Sequence, residues 1–304
     1  MAVPDSWIET GRGAAPVGEV AARVLRRRLD TVWSALRAAC RGECDAGTVH
    51  GLRVATRRAL AAFEVFADAI PGRSRGWFEK RLARVRRVAG EARDLDVLGE
   101  HLSAETAVPV RARDRLVAML SRRRIESRSP IREQLEKLVD ADWPRRCDRL
   151  VAAVRRRSRR RRFTTFARRR FRPMIGEFFA GADRKLRSAD DLHAMRIAGK
   201  RLRYAFEILA PALPPRVRGD CQESLERLQE SLGEYTDHAA AADRLARWAR
   251  SGEAGSSRDL LEALQAREDA RAQEARKTFS RWWNQARRRT LRRRFEKTLR
   301  RHPA

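Results

Sequence analysis

Two triplets of side chains in this sequence have the types and spacing to hold an anion. His50, Arg53 and Arg57 form the first, and His193, Arg196 and Lys200 the second. At ~100° per residue, the members of each triplet fall within roughly 60° of one another on a helical wheel. Arginine offers planar, forked donors that match phosphate oxygens, and histidine adds a donor whose charge responds to its surroundings. Beside two cations its proton is disfavoured until an anion arrives. The chemistry expected of such a stripe is phosphate clamping. A solvated helix face is the plainer reading of any one basic stripe.

The recurrence argues for more. Val49–Phe66, VHGLRVATRRALAAFEVF, aligns with Leu192–Leu209, LHAMRIAGKRLRYAFEIL, at an offset of 143, with seven of 18 positions identical. The matches include Arg58 with Arg201, Phe63 with Phe206 and Glu64 with Glu207. The same register continues downstream through Pro71 and Pro214, Arg84 and Arg227, and Asp94 and Asp237. A weaker echo lies upstream, where Arg26–Arg28 resembles Arg168–Arg170 with a one-residue shift, making Arg27 and Arg169 secondary candidates. A period this long exceeds a solenoid unit. It fits two similar helical bundles related by a pseudo-two-fold, with the boundary between Asp140 and Arg162.

The elements that carry these residues read as helices almost throughout. Apolar residues recur at three and four, Arg, Ala, Leu and Glu dominate, and strand-type alternation is absent. Breaks are expected at Arg41–Thr48, Pro71–Gly76, Pro109, Pro130, Pro144, Pro211–Pro215 and Ser251–Ser257. Opposite the first basic stripe run Leu52, Ala55, Ala59, Phe63 and Phe66; opposite the second run Met195, Ala198, Leu202, Phe206 and Leu209. Val54 and Ile197 sit on the polar flanks, so those flanks are expected to be partly covered. The fold class is all-α: two bundles of four-helix type, 14–150 and 151–304, with a basic groove between them.

Composition bounds the partner. Lys plus Arg number 69 against 40 Asp plus Glu in 304 residues, a net charge of +29, and 63 of the 69 are Arg. With 42% hydrophobic residues the chain has enough for a core. Such a molecule repels itself and gains from a bound polyanion, which excludes a cationic main ligand. No apolar run is long enough for a membrane span, and Met1 to Gly13 lacks a signal core, which points to the cytoplasm.

No metal site and no cofactor are expected. Cys40, Cys44, Cys147 and Cys221 form no CxxC pair, and Glu91 to Asp96 does not align two carboxylates on one helix face. Asp94 and Asp237 read as helix caps or as partners for Arg, and Glu64 and Glu207 as anchors for basic side chains. The Arg155–Arg172 run is a nucleic-acid-like patch or an Arg-rich helix face given an apolar side by Phe163, Phe166 and Phe171. The Arg281–Arg301 stretch is similar, with Trp282 and Trp283 as packing residues.

VHGLRVATRR and LHAMRIAGKR, followed by GEARDLDVL and LGEYTDHAA, resemble the CHAD domain, the conserved histidine α-helical domain, over residues 17–299. The resemblance implies two pseudo-symmetric helical bundles, a basic cavity at their junction and non-catalytic binding of inorganic polyphosphate, with some members at polyphosphate granules. It maps the binding motif onto His50, Arg53, Arg57 and Arg58, and onto His193, Arg196, Lys200, Arg201 and Arg203. Arg84 and Arg227 are matching cations on a neighbouring helix. His238 stands where a Leu is usual, and Leu60 replaces the Arg found at Arg203. Some relatives are fused to a triphosphatase with an ExExK motif, which this sequence lacks. Three rivals stay open: a nucleic-acid binder, a phosphatase using His50 or His193 as nucleophile, and a regulatory partner of a polyphosphate-metabolising enzyme.

Overall fold

The computed structural model describes residues 15–41, 46–104, 110–157, 161–182, 186, 188–213, 215–251 and 258–299. Cys44, Pro109, Pro214 and residues 158–160 of the basic run lie outside them. The described residues form eleven α-helices and no sheet. They are α1 (Val17–Ala39), α2 (Ala46–Val65), α3 (Gly72–Ala104), α4 (Val110–Glu126), α5 (Ser129–Asp140), α6 (Trp143–Arg156), α7 (Phe163–Ala182), α8 (Ala189–Leu209), α9 (Pro215–Arg250), α10 (Arg258–Trp282) and α11 (Gln285–Leu299). None is long and apolar enough to cross a membrane.

Local chemistry explains several helix ends. Ser188 accepts from the Asp191 amide while the Asp191 carboxylate accepts from the Ser188 amide, a reciprocal cap that starts α8. Proline occupies the first turns of α5 and α6, where its missing N–H costs nothing. The link between those two helices turns through Asp142 at φ 51°. By contrast α3 runs for 33 residues and α9 for 36, so the Gly90 and Gly233 positions interrupt neither helix.

The helix contacts follow two parallel sets. In the first, α1 packs on α2 and α6, and α3 on α2, α4 and α5; in the second, α7 packs on α8 and α11, and α9 on α8, α10 and α11. Across the middle, α2 meets α8, α3 meets α9 and α1 meets α7. The apolar stripes of α2 and α8 are buried as their spacing predicts: Leu52, Phe63, Phe66, Leu202, Phe206 and Leu209 are all inside. Phe163, Phe166 and Phe171 also turn inward, so the apolar side of the basic run is part of the core. Each such ring contributes about 1.5–3 kcal/mol by leaving water.

One strap ties the first helix to the second set. The Val17 amide donates to the Arg161 carbonyl and the Phe163 amide to the Ala15 carbonyl, both at 2.9 Å. Gly18 sits beneath that strap, where an added Cβ would fall 2.0 Å from the Arg157 carbonyl oxygen. Only glycine allows α1 and the end of α6 to approach so closely.

The far ends of α3 and α9 reach past this main core. With α4 and α10 they enclose a smaller one built on Leu98, Leu102, Leu120, Leu245, Trp248 and Leu264. Burial pushes the thiols of Cys147 and Cys221 up to about 12, so both stay protonated core residues at neutral pH.

Candidate functional site

The two basic stripes converge. Between α2, α3, α8 and α9, at the level where the smaller core begins, lies a cavity of about 370 Å³. His50, Arg53 and Arg57 from α2 line it together with His193, Arg196 and Lys200 from α8. A second hollow of about 620 Å³ adjoins it and shares Arg53, Arg57, His193, Arg196 and Lys200. Both imidazoles sit at the exposed rim, while the four cations behind them are half-buried. Val54 is half-covered as expected, but Ile197 is 56% exposed, so the second flank is open.

Two carboxylates hold the inner arginines in place. Arg53 Nη1 donates to Asp94 Oδ1 at 3.2 Å, and Arg196 Nη2 to Asp237 Oδ1 at 3.2 Å. Both aspartates lie within long helices, so they act as arginine partners and not as caps. Arg57 and Lys200, which occupy the same position in the two stripes, have no carboxylate partner among the described residues. The cavity wall adds Arg93 and Arg244 to these cations. Arg93 reaches Glu100 at 2.9 Å, and Arg244 reaches Asp94 at 3.0 Å. Neither was singled out in the sequence, because nothing in their local spacing sets them apart from the other 61 arginines.

The electrostatic consequence is severe for Lys200. Burial, and then Arg57, Arg196 and Arg53, bring its ammonium from 10.5 down to about 6, against the pull of Asp237. Arg57 and Arg196 are lowered too, chiefly by burial. The His50 imidazole is pushed below its ordinary value by burial and by Arg93, Arg53 and Arg57. Five arginines and Lys200 face two carboxylates in this cavity. It is a place where a bound anion would relieve the repulsion among the basic wall residues.

The remaining sequence candidates are placed elsewhere. Arg58 turns away from the cavity and makes a bidentate pair with buried Glu207, at 2.9 and 3.2 Å. Arg201 pairs with Glu64 and, at 2.8 Å, with Glu177, and touches only the second hollow. Arg203 lies over its neighbour Tyr204, with 4.9 Å from guanidinium carbon to ring centroid. Arg84 and Arg227 do sit at matching positions on α3 and α9, but on the outer faces. Arg84 points toward α5 beside Lys137, and Arg227 lies 5.6 Å from the Trp282 ring. Arg27 and Arg169 are exposed; one residue further on, Arg28 reaches Glu207 at 3.6 Å and Arg170 reaches the Glu64 carbonyl. None of these four arginines lines either hollow.

Fold and cavity together define an all-helical module arranged around a basic hollow. The chain belongs to the CHAD domain family, whose model matches residues 23–246. CHAD domains are a non-catalytic binding family. Among solved structures, the CHAD domain of the plant Ricinus communis aligns with a TM-score of 0.70 at 19% identity, covering 97% of this chain and 96% of that one. PptA from Streptomyces chartreusis aligns with a TM-score of 0.58 at 18% identity, over 88% of this chain and 99% of that one. At these identities the likeness is one of fold. No curated protein matches the sequence.

Proposed function

We propose that this protein binds inorganic polyphosphate, without catalysis, along the paired hollows between α2 and α8. The observation that carries the reading is the pairing of Arg57 and Lys200: two half-buried basic side chains, one from each stripe, facing a common cavity without carboxylate partners among the described residues. A polyphosphate thread would supply the missing anions at both. The shared wall of the two hollows suits a continuous strand more than a compact ligand.

In this reading the chain consists of two halves, 14–150 and 151–304, related by a pseudo-two-fold that passes between α2 and α8. Reciprocal ion pairs support it. Arg58 reaches Glu207 and Arg201 reaches Glu64, and each residue is the other's counterpart at the offset of 143. The equal Arg53–Asp94 and Arg196–Asp237 pairs add to this. Recruitment to polyphosphate granules in the cytoplasm, or to a polyphosphate-metabolising enzyme, would follow from the same binding.

Nucleic acid shares the charge but needs platforms for its bases. Tyr204 is the one Phe, Trp or Tyr among the residues lining the two hollows. The test is a competition assay at equal phosphate concentration. Polyphosphate should displace labelled polyphosphate well ahead of RNA, and salt should weaken binding steeply as counterions return. Arg53→Ala with Arg196→Ala should cost far more affinity than Arg289→Ala with Arg293→Ala on exposed α11. Equal displacement by RNA, or equal losses in the two double variants, would reduce the site to diffuse surface charge. Release of phosphate by the pure protein, lost on His50→Ala, would instead favour an enzyme.

A further inference from the structure

Just beyond the cavity, where α3, α9 and α10 meet, three metal-binding side chains converge. His101 lies one turn past the cavity residue Leu98 on α3, and His238 one turn before Ala241 on α9. Glu268, on α10, is 3% exposed. His101 Nδ1 is 3.2 Å from Glu268 Oε2, and His238 Nδ1 is 2.7 Å from the same oxygen. All three donor atoms lie within 4.8 Å of one another. The other carboxylate oxygen accepts from Arg271 Nη1 at 2.6 Å.

We propose that His101, His238 and Glu268 form a binding site for a divalent transition-metal ion, and that Zn²⁺ is the ion it fits best. Two imidazole nitrogens and one carboxylate oxygen are a three-ligand set that zinc accepts, with water completing the tetrahedron. At bond lengths of about 2.0–2.1 Å, tetrahedral ligand atoms stand ~3.3 Å apart. The observed separations of 3.2 and 2.7 Å need only small shifts to admit an ion. Magnesium and calcium prefer shells made wholly of oxygen, so the nitrogen pair argues against them. Arg271 would act from outside, fixing the carboxylate so that Oε2 faces the two rings. Both histidines keep roughly a quarter of their side-chain surface exposed, which leaves the ion a way in.

The site does not overlap the anion cavity, and neither His50 nor His193 takes part. Its ligands come from α3 on one side and from α9 and α10 on the other. A bound ion would pin these long helices together just behind the cavity wall. The sequence gives no hint of it, because Glu268 is 30 residues from His238 and 167 from His101.

The experiment uses the full chain, without a polyhistidine tag and without polyphosphate, so its failure is separate from failure of the anion site. After stripping with chelator, the protein is titrated with Zn²⁺, and separately with Co²⁺ as a spectroscopic probe. One zinc per chain is expected, with a higher melting temperature and an intense four-coordinate cobalt band in the visible. His238→Ala should abolish the band and the stoichiometric uptake, while His50→Ala with His193→Ala should leave both intact. Should His238→Ala fail to fold, Arg271→Ala carries the test, with zinc binding weakened by roughly 10- to 100-fold. No uptake by the stripped protein, or uptake indifferent to these changes at His238 and Arg271, would overturn the proposal and leave a hydrogen-bonded His–Glu–His cluster.

Discussion

The α2–α3 wall of the cavity and the α8–α9 wall carry matching basic stripes and a matching aspartate, Asp94 and Asp237, yet they are braced differently. On the first wall Asp94 is shared between Arg53 and Arg244, at 3.2 and 3.0 Å, while on the second Asp237 is paired with Arg196. Two residues on, buried Asp96 gathers Arg124 and Arg128, both at 2.9 Å, and locks α3 against the end of α4 and the link to α5. Its counterpart is Ala239, and α9 instead meets α10 through His238 and Glu268. The reciprocal pairs differ in burial as well: the Glu207 side chain is 7% exposed and that of Glu64 31%. The stripes face one shared space and one set of neighbours, so changes there are constrained together. The supports behind them face different helices and have diverged.

The largest expected effect tests that divergence. Glu207→Ala strands Arg58 and Arg28 against the core and should cost about 3–5 kcal/mol of stability in denaturant melts. Glu64→Ala, at the matching but wetter position, should cost about 1 kcal/mol or less. Equal losses would mean that the two pairs are interchangeable. Next come the stripes themselves. Arg53→Ala and Arg196→Ala should each weaken polyphosphate binding by about 10- to 100-fold, since a charge-assisted hydrogen bond is worth about 1.5–3 kcal/mol. Matching losses would mark equal use of the two walls; a loss confined to one would place the ligand on that side.

A smaller effect separates Lys200 from its counterpart Arg57. With the cavity empty, Lys200 holds its proton only below about 6, and a bound anion raises that value. Binding therefore takes up a proton, and affinity should fall by up to about tenfold as pH climbs from about 6 to about 7. Lys200→Arg should flatten that slope in titrations across the range. The same residue acts on stability with the opposite sign. Between about 6 and 10.5 the unfolded chain holds more protons than the folded one, so stability of the free protein should rise with pH, and Lys200→Met should remove that rise. The smallest effect concerns the helix start. Ser188→Ala removes the reciprocal cap of α8 and should cost about 1 kcal/mol while leaving polyphosphate affinity unchanged.

Duplication made much of this legible in advance. A position that keeps its charge in both copies, such as Arg53 with Arg196, is tied to a common surface, and a phenylalanine kept in both is tied to a common core. The same logic correctly made Glu64 and Glu207 anchors for basic side chains. It misled at Arg84 and Arg227, which match in sequence but sit on the outer faces of α3 and α9. A helix of 33 or 36 residues packs on several neighbours in turn, and its register alone does not say which face meets which. Arg58 was mapped onto the site by the resemblance, but it points ~100° away from Arg57 and pairs with Glu207. Arg93, Arg244 and the His101–His238–Glu268 cluster depend on contacts between distant segments, which no local pattern records.

The strap between Val17 and Arg161 carries a consequence for biosynthesis. The start of α1 leaves the ribosome some 144 residues ahead of its hydrogen-bonding partner. In the meantime α1 can pack on α2 and α6, with that end still frayed. Closure then waits for the opening of α7. In a chain cut between Arg157 and Arg161, the start of α1 would stay loose until the second fragment docked.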